Sequence, residues 1–133
     1  MNRLSGKIVG IESDEGISIV DVITDAGRLS ALILETPDTA PYLKIDKQVF
    51  AIFKETEVAI GKGGSENISY LNANDGLVEG FNLGEVLAEI ALSVNDKKIK
   101  SIITKRAFVR LDIKKGDRVK WIIKSNEISI ESD

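Results

Sequence analysis

The 133-residue sequence contains no cysteine and no histidine. The absence of Cys excludes disulfides, thiolate metal sites and thiol nucleophiles. The absence of His removes the usual general base and the commonest metal ligand in proteins. Most hydrolase and metalloenzyme mechanisms are therefore excluded. No acid/base pair or nucleophile constellation stands out, so we predict that the protein is not an enzyme and has no direct metal-cation ligands.

Apolar runs and aromatic residues are also scarce. No stretch approaches the roughly 18 to 20 continuous apolar residues of a membrane-spanning helix, and the start MNRLSGKIV lacks the apolar block of a secretory signal. We therefore expect a soluble, cytoplasmic protein without membrane association. With 43% hydrophobic and 29% charged residues, the chain can bury one ordinary core or two small ones.

Charge is distributed unevenly, although the net charge is only -3. Residues 96–124 carry eleven basic side chains and three acidic ones. Such a segment can attract a small oxyanion or a phosphate backbone, or it can be a solvated face of alternating strands. Proteins that bind single strands usually add stacking aromatics. Because aromatics make up only 5% of this chain, nucleic acid is the weaker alternative.

The sequence repeats itself at an offset of 70 residues, without a gap. AIFKETEVAI at residues 51–60 corresponds to WIIKSNEISI at residues 121–130. The identical pairs include Asn2 with Asn72, Gly6 with Gly76, Gly10 with Gly80, Lys54 with Lys124, Glu57 with Glu127 and Ile60 with Ile130. The apolar alternation is preserved between these pairs, which indicates an internal duplication.

Each repeat has the pattern of short strands separated by turns. The predicted strands are KIVGIES, ISIVDVIT, RLSALIL, VFAIFK and EVAI in the first repeat, and LVEGF, EVLAEIALSV, KIKSIIT, RVKWIIK and EISI in the second. EVLAEIALSV also has helix-favouring residues, but its correspondence with ISIVDVIT favours a strand. TPDTAPYL and TKRAFVRL are expected to form short helical or irregular crossovers.

An antiparallel unit of this size most economically closes into a small barrel, which removes exposed strand edges. We therefore predict an all-β protein with two tandem OB-like five-stranded small barrels. The predicted boundaries are residues 1–63 for the first subdomain, 64–68 for a hinge in the Gly-rich GKGGSEN segment, and 69–133 for the second subdomain.

The order of these motifs resembles the TOBE/Mop family of molybdate-binding proteins, the molbindins, in their tandem di-Mop form. NRLSGKIVGI at residues 2–11 resembles the family's N-x-L-x-G opening, and SYLNANDGLV at residues 69–78 places Ser69, Asn72 and Gly76 at family positions. LDIKKGDRV at residues 111–119 resembles the Gly-Asp turn, and WIIKSNEISI the closing strand. The resemblance covers nearly the whole chain.

The resemblance implies binding of molybdate or tungstate for intracellular storage, buffering or sensing, at sites where subdomains meet. Carried over, the oxyanion-binding residues of the second repeat are Ser69, Thr104, Lys124 and Ser125. Hydroxyl donors and one cation suit a tetrahedral dianion, which has only acceptor oxygens. The alternatives are a strand-edge lysine at Lys124, and turn or strand roles for Ser69 and Thr104.

The chain departs from the family pattern at several positions. Leu71 stands where the family has Arg, and Leu34 stands at the Thr position of the first repeat. The first repeat keeps Lys54 but follows it with Glu55, which would repel an anion. Arg3 lies near the position of the missing family Arg but does not occupy it, so we expect that the first-repeat site is either lost or uses Arg3 and Lys54 in an unfamiliar way.

The resemblance also implies a homo-oligomer, a trimer in the di-Mop proteins, with ligands at its interfaces. Because the family Arg is missing, a second function stays open. In this alternative the chain is a regulatory module that acts through a protein partner, such as a molybdate transporter or a transcription factor.

Overall fold

The computed structural model describes residues 1–64 and 67–133, and the described residues form ten β-strands and one α-helix. The strands of the first repeat are β1 (Asn2–Asp14), β2 (Ile17–Thr24), β3 (Gly27–Ile33), β4 (Gln48–Phe53) and β5 (Ala59–Gly61). The second repeat contains β6 (Asn72–Leu83), β7 (Leu87–Val94), β8 (Lys97–Thr104), α1 (Lys105–Leu111), β9 (Arg118–Ile123) and β10 (Ser129–Ser132). One turn of 3₁₀ helix, at Glu55–Glu57 and again at Ser125–Glu127, precedes each closing strand.

The alternating apolar pattern determines which face of each strand is buried. Along β7, Ala88, Ile90, Leu92 and Val94 are buried, and the residues between them are more exposed. This period of two is that of a strand with one face in the core. The strand prediction for EVLAEIALSV is therefore confirmed, and the helical alternative is wrong.

The two crossovers differ because only the first contains proline. TKRAFVRL forms α1, and the Thr104 hydroxyl caps the helix by accepting a hydrogen bond from the Ala107 N–H at 3.1 Å. In TPDTAPYL a single helical turn closes between the Ala40 N–H and the Thr36 carbonyl at 2.8 Å. Pro37 and Pro41 have no N–H to donate, so a longer helix is disfavoured there.

The two repeats exchange their closing strands. One antiparallel sheet has the order β10-β4-β1-β2-β3 and the other has the order β5-β9-β6-β7-β8. Each sheet therefore takes four strands from one repeat and the fifth from the other, and β10 lies beside β3 as β5 lies beside β8. This agrees with the predicted all-β architecture of two five-stranded OB-like units. The predicted subdomain boundaries, residues 1–63 and 69–133, stay a prediction. Ser65 and Glu66 of the predicted hinge lie outside the described residues.

Reciprocal asparagine contacts accompany the strand exchange. The Asn72 side chain accepts from the Ser30 N–H at 2.7 Å and donates to the Ser30 carbonyl at 3.0 Å. The Asn2 side chain makes the equivalent pair with the N–H and carbonyl of Lys100, at 2.9 and 2.8 Å. Since Ser30 and Lys100 are themselves 70 positions apart, the two repeats are related by an approximate two-fold axis.

The larger hydrophobic core is shared between the repeats. Trp121 is fully buried on β9, and its ring stacks on Phe53 of β4 with the ring centroids 5.9 Å apart. The buried residues of a smaller cluster, around Ile8, Val20 and Leu43, come from the first repeat, and Ile130 of the second repeat packs against them. Neither repeat can therefore leave the other without exposing a common core. In the described part of the chain, no helix has the length and apolar character needed to cross a membrane.

Candidate functional site

The strand exchange divides the predicted oxyanion residues between two places. The 3₁₀ turn after Lys124 packs against β3 of the first repeat, whereas the turn after Lys54 packs against β8 of the second. Thr104, at the end of β8, therefore lies on the side of the Lys54 turn. Lys124 and Ser125 lie on the side of Leu34, the residue that replaces Thr in the first repeat.

Lys124, Ser125 and Ser69 are the predicted donors that lie toward one end of the β6–β9 pair. Lys124 is exposed and Ser125 is half-buried. Pairing of β6 with β9 ends at Asn72 opposite Ile123, so the exposed segment that contains Ser69 leaves the sheet at the end where Lys124 begins its turn. Among the ion pairs of the described residues, none involves the Lys124 ammonium group. This end of the second repeat offers one cation and two hydroxyls.

Thr104 lines a different place, an open cleft of about 460 Å³. The cleft is bounded by Thr56 and Glu57 from the first repeat and by Thr104 and Glu127 from the second. The Thr104 oxygen already accepts the α1 cap hydrogen bond, which leaves its O–H free to donate outward. Thr104 therefore lies beside two carboxyl groups in this cleft.

Glu57 and Glu127 occupy equivalent positions in the repeats and meet each other across the approximate two-fold axis. Burial raises the pKa of Glu127 above its ordinary value, and the hydrogen bond to Glu57 and the Glu57 charge raise it further. The Lys124 charge acts in the opposite direction, lowering the Glu127 pKa. A raised pKa reduces the negative charge of the cleft at mildly acidic pH. At higher pH the two carboxylates oppose binding of an anion beside Thr104.

Lys54 starts the equivalent turn of the first repeat. Its backbone N–H donates to the Glu57 carboxylate at 3.3 Å, and its carbonyl accepts from the Glu57 N–H at 3.0 Å. The next residue, Glu55, is 2.9 Å from the amino group of Met1. A carboxylate thus occupies the position at which the second repeat has the Ser125 hydroxyl, which makes this end less suited to an anion.

Arg3 is directed away from Lys54. Its guanidinium is 3.1 Å from the Glu131 carboxylate and lies over the Phe50 ring, 4.0 Å from the ring centroid. Arg3 pairs with Ile52 on β4, so its side chain extends toward Phe50 and away from the end of the strand where Lys54 lies. The guanidinium is already occupied by a carboxylate and an aromatic face.

Much of the basic segment is neutralised within the chain. The lysines of residues 96–124 that form ion pairs with Asp or Glu are Lys97, Lys98, Lys100, Lys114 and Lys120. One of these five pairs joins the repeats, that of Lys97 with Asp25 at 3.6 Å. Acidic partners therefore interrupt the positive charge along β8 and β9, whereas Lys105, Arg106 and Arg110 of α1 form no ion pair with described residues.

Sequence reasoning missed the strand exchange and the meeting of the two glutamates. The repeat register did pair Asn2 with Asn72 and Glu57 with Glu127. Two copies joined by a two-fold axis bring equivalent residues together only near that axis. Identical polar residues at an offset of 70, such as Glu57 and Glu127 in their turns, were therefore the sequence signal that could have predicted the contact between the two glutamates.

Models of known protein families give the first comparison. Residues 70–130, within the second repeat, match the family model of the TOBE domain. A comparison of the sequence with curated proteins finds no match.

The whole chain is similar to a solved structure of the cytoplasmic molybdate-binding protein ModG, in a crystal form with molybdate bound. The TM-score is 0.91 at 26% sequence identity, and the match covers 99% of this chain and 96% of that one. Together the domain match and the structural match support the TOBE/molbindin family for this chain.

Proposed function

We propose that the protein binds molybdate reversibly and without catalysis, for storage, buffering or sensing in the cytoplasm, and that tungstate can take the same place. The observation that carries this proposal is the similarity over 99% of the chain to a protein whose structure holds molybdate. In the proposal the chain is a tandem di-Mop molbindin and the bound oxyanion is its ligand.

Ser69, Lys124 and Ser125 are the proposed principal donors. An unpaired ammonium group beside hydroxyls can neutralise part of a dianion while each neutral donor fixes one oxygen. Charge-assisted hydrogen bonds contribute about 1.5 to 3 kcal/mol each, so a few of them give reversible binding. Thr104 and Lys54 serve as donors of a weaker first-repeat site, because Glu55 and Glu57 lie next to them. Arg3 reaches a ligand only after leaving Glu131.

The donor set also suggests how phosphate is rejected. A site that offers only hydrogen-bond donors has no acceptor for the proton carried by HPO₄²⁻, and that proton is left unpartnered when it is desolvated. Molybdate and tungstate carry no such proton at neutral pH.

Titration calorimetry tests the proposal directly. We expect heat and thermal stabilisation with micromolar molybdate and tungstate, and much weaker effects with phosphate and sulfate. Absence of both heat and stabilisation with molybdate would overturn the proposal. Since a ligand held between subunits strengthens their association, we also expect molybdate to favour a trimer in measurements of molecular mass.

A regulatory role is the second candidate, and the observation that favours it is Leu71. This side chain is 74% exposed and stands where the family has Arg, so it offers an apolar contact in place of a cation. A pull-down from cell extract with and without molybdate separates the two roles. Partner capture that depends on molybdate favours regulation, and binding of the ion alone favours storage.

A further inference from the structure

A second open cleft, of about 530 Å³, lies where the turn between β2 and β3 of the first repeat meets β6, β7 and β9 of the second. Pairing of β6 with β7 begins at Leu77 opposite Ser93, so the preceding residues of β6 pair with β9 alone and leave a gap beside them. We call this gap the β6 cleft. Its volume is within the range of small-molecule sites, roughly 300 to 1,000 Å³, and none of the proposed oxyanion donors lines it.

Three side chains of the β6 cleft form a row across the sheet. Leu77 pairs with Arg118 of β9 on one side and with Ser93 of β7 on the other, and directly paired residues point to the same face of a sheet. Since neighbouring strands are 4.7 to 4.9 Å apart, the row is about 10 Å long. It has a guanidinium at one end, a hydroxyl at the other, and a partly exposed leucine between them.

Two asparagine side chains in the cleft are held in a fixed orientation by the first repeat. The Asn74 amide nitrogen donates to the Arg28 carbonyl at 3.2 Å, and the Asn95 amide nitrogen donates to the Asp25 carbonyl at 3.1 Å. Because a carbonyl can only accept, each amide must present its nitrogen to the protein. The amide oxygens are thereby left to accept hydrogen bonds from a ligand.

Arg118 supplies the positive charge of the cleft. Its side chain is exposed, and within residues 1–64 and 67–133 no ion pair involves its guanidinium. Asp75 also lines the cleft, but its carboxylate is 2.7 Å from the Lys120 ammonium group. The guanidinium can therefore pair with a carboxylate of a ligand through two parallel hydrogen bonds.

These polar side chains are specific to the second repeat. The residues at the equivalent positions of the first repeat carry no charge, and the pairs are Asn74 with Leu4, Ser93 with Ile23 and Arg118 with Gln48. Leu4 is buried in the core at 5% exposure, so the duplicated fold does not require a polar residue there. The lining of the β6 cleft is therefore explained better by a ligand than by the fold.

A buried donor without a partner lies behind the cleft. The Trp121 indole N–H is buried, and no described residue accepts a hydrogen bond from it. A Cβ at Gly76, which lines the cleft, would lie 3.4 Å from Cδ1 of Trp121, the ring atom bonded to that nitrogen. Because Trp121 is the single tryptophan of the chain, its fluorescence reports on what enters the cleft.

We propose that the β6 cleft binds a small organic carboxylate that carries N–H groups at its other end, the chemistry of a free dipeptide. Arg118 binds the carboxylate, and the amide oxygens of Asn74 and Asn95 accept from the ammonium and peptide N–H groups. Leu77 contacts the apolar part of the ligand. An inorganic oxyanion without N–H groups would leave both amide oxygens unpartnered. The inference does not rest on the proposed function.

Titration of the full-length protein with glycyl-leucine tests this proposal, by calorimetry and by Trp121 fluorescence. We expect a Kd of about 1 mM or lower, a value that a ligand of this size can reach. Glycyl-leucine amide lacks the carboxylate, and 4-methylpentanoate keeps a carboxylate and a branched chain but has no N–H group. Each should bind at least about tenfold more weakly.

Two variants replace a lining residue by its first-repeat equivalent, Arg118→Gln and Ser93→Ile. Each should raise the Kd for glycyl-leucine at least about tenfold, whereas Arg110→Gln, which removes an exposed guanidinium of α1 outside the cleft, should leave it unchanged. Circular dichroism establishes that the variants are folded, and molybdate calorimetry on Arg118→Gln should match wild type.

Three results would overturn the proposal. The first is wild-type protein that shows neither heat nor a fluorescence change with glycyl-leucine at about 10 mM. The second is an Arg118→Gln variant that binds glycyl-leucine as Arg110→Gln does. The third is loss of molybdate binding in Arg118→Gln, because the cleft would then be part of an oxyanion site. Failure of molybdate binding in wild type alone would overturn the proposed function and leave this inference standing.

Discussion

The Asn72 side chain makes three hydrogen bonds, two of them to the first repeat and one within its own repeat, whereas its repeat equivalent Asn2 makes two, both to the second repeat. Both side chains accept from an N–H and donate to a carbonyl on a strand of the other repeat. Asn72 also donates to the Ile123 carbonyl at 3.1 Å. Exposure is 1% for Asn72 and 6% for Asn2, and the Asn72 hydrogen bonds are buried whereas those of Asn2 are partly buried.

Alanine at Asn72 should therefore destabilise the fold more than alanine at Asn2. Removing one partner of a buried hydrogen bond leaves the other unsatisfied, at about 1 to 3 kcal/mol for each group. We expect the free energy of unfolding in urea to fall by about 2 to 4 kcal/mol for Asn72→Ala, and by about half that for Asn2→Ala. Equal losses would contradict the asymmetry. Asn72→Asp separates the roles, since it keeps the acceptor for the Ser30 N–H but loses both donations.

Local elements of the fold were predictable because each depends on short-range pattern. Strand β2 was predicted with the observed bounds, and the difference between the two crossovers follows from Pro37 and Pro41. The exchange of β5 and β10 was not predictable in the same way. Strand β5 (Ala59–Gly61) has the same apolar alternation whichever sheet it joins. The strand it pairs with is therefore decided by the shared core around Trp121 and by the hydrogen bonds of Asn2 and Asn72 to the other repeat. These contacts lie far apart in sequence.

Gly6 and Gly76 also occupy equivalent positions with unequal surroundings. A Cβ at Gly6 would lie 2.6 Å from the Val22 side chain and 2.7 Å from the Ile23 carbonyl oxygen. At Gly76 the nearest atoms, on Trp121 and Val94, would be 3.4 Å away. Gly6→Ala therefore forces the β1–β2 backbones apart, and overpacking of this kind costs about 1 to 3 kcal/mol.

Gly76→Ala provides the matched control for that substitution. Since its Cβ meets only near-normal van der Waals contacts, we expect a loss in unfolding free energy below about 1 kcal/mol. Thermal or urea unfolding of both variants gives the comparison. A Gly76→Ala protein less stable than Gly6→Ala would show that the close approach of β1 and β2 is not the constraint.

The candidate site shows a similar division between what sequence predicts and what it does not. Residue types suited to an oxyanion were evident at Ser69, Lys124 and Ser125. The separation of Thr104 from this group follows from the strand exchange, which no local pattern encodes. The Arg3 contacts with Glu131 and Phe50 likewise depend on β10 pairing with β4.

Lys124→Met should weaken molybdate binding more than Lys54→Met does. Methionine keeps most of the side-chain length and removes the charge, and loss of one charge-assisted hydrogen bond of about 1.5 to 3 kcal/mol raises Kd roughly tenfold to hundredfold. Glu55 stands beside Lys54 and repels an anion there, so removal of the Lys54 charge should change the Kd for molybdate little. Calorimetry with molybdate gives both values. A larger effect at Lys54 would place the principal site in the first repeat.

Glu55→Ser tests why the first-repeat end is the weaker one. The substitution gives this end the Lys-Ser sequence of the second repeat and removes a carboxylate that repels anions. We expect the number of molybdate ions bound per chain to rise, or the weaker binding phase to tighten. Glu12→Ser removes an exposed carboxylate far from the turn in sequence and should leave the titration unchanged. No change in Glu55→Ser would mean that Glu57, rather than Glu55, limits this end.

Glu127 should make the fold less stable as the pH rises above about 4.5, its ordinary pKa. Burial, followed by the hydrogen bond and charge of Glu57, raises the pKa of Glu127 in the folded protein. An acid with a raised folded pKa contributes stability that is fully present below its unfolded pKa and is lost as the pH rises through the folded value. Asp117 has a lowered pKa, because the Lys114 N–H and the Lys62 ammonium bind its carboxylate. Its contribution is lost only as the pH falls below 3.8.

Glu127→Gln removes this ionisation while its amide can still donate to Glu57. We expect the variant and wild type to differ little near pH 4, and the variant to be the more stable of the two near pH 7. Urea unfolding at a series of pH values measures the difference, with Glu12→Gln as an exposed control. A variant that is less stable at neutral pH would show that the Glu127 carboxylate is stabilised by Lys124 more than it is opposed by Glu57. In that case the cleft beside Thr104 would accommodate negative charge more easily than the presence of its two carboxyl groups indicates.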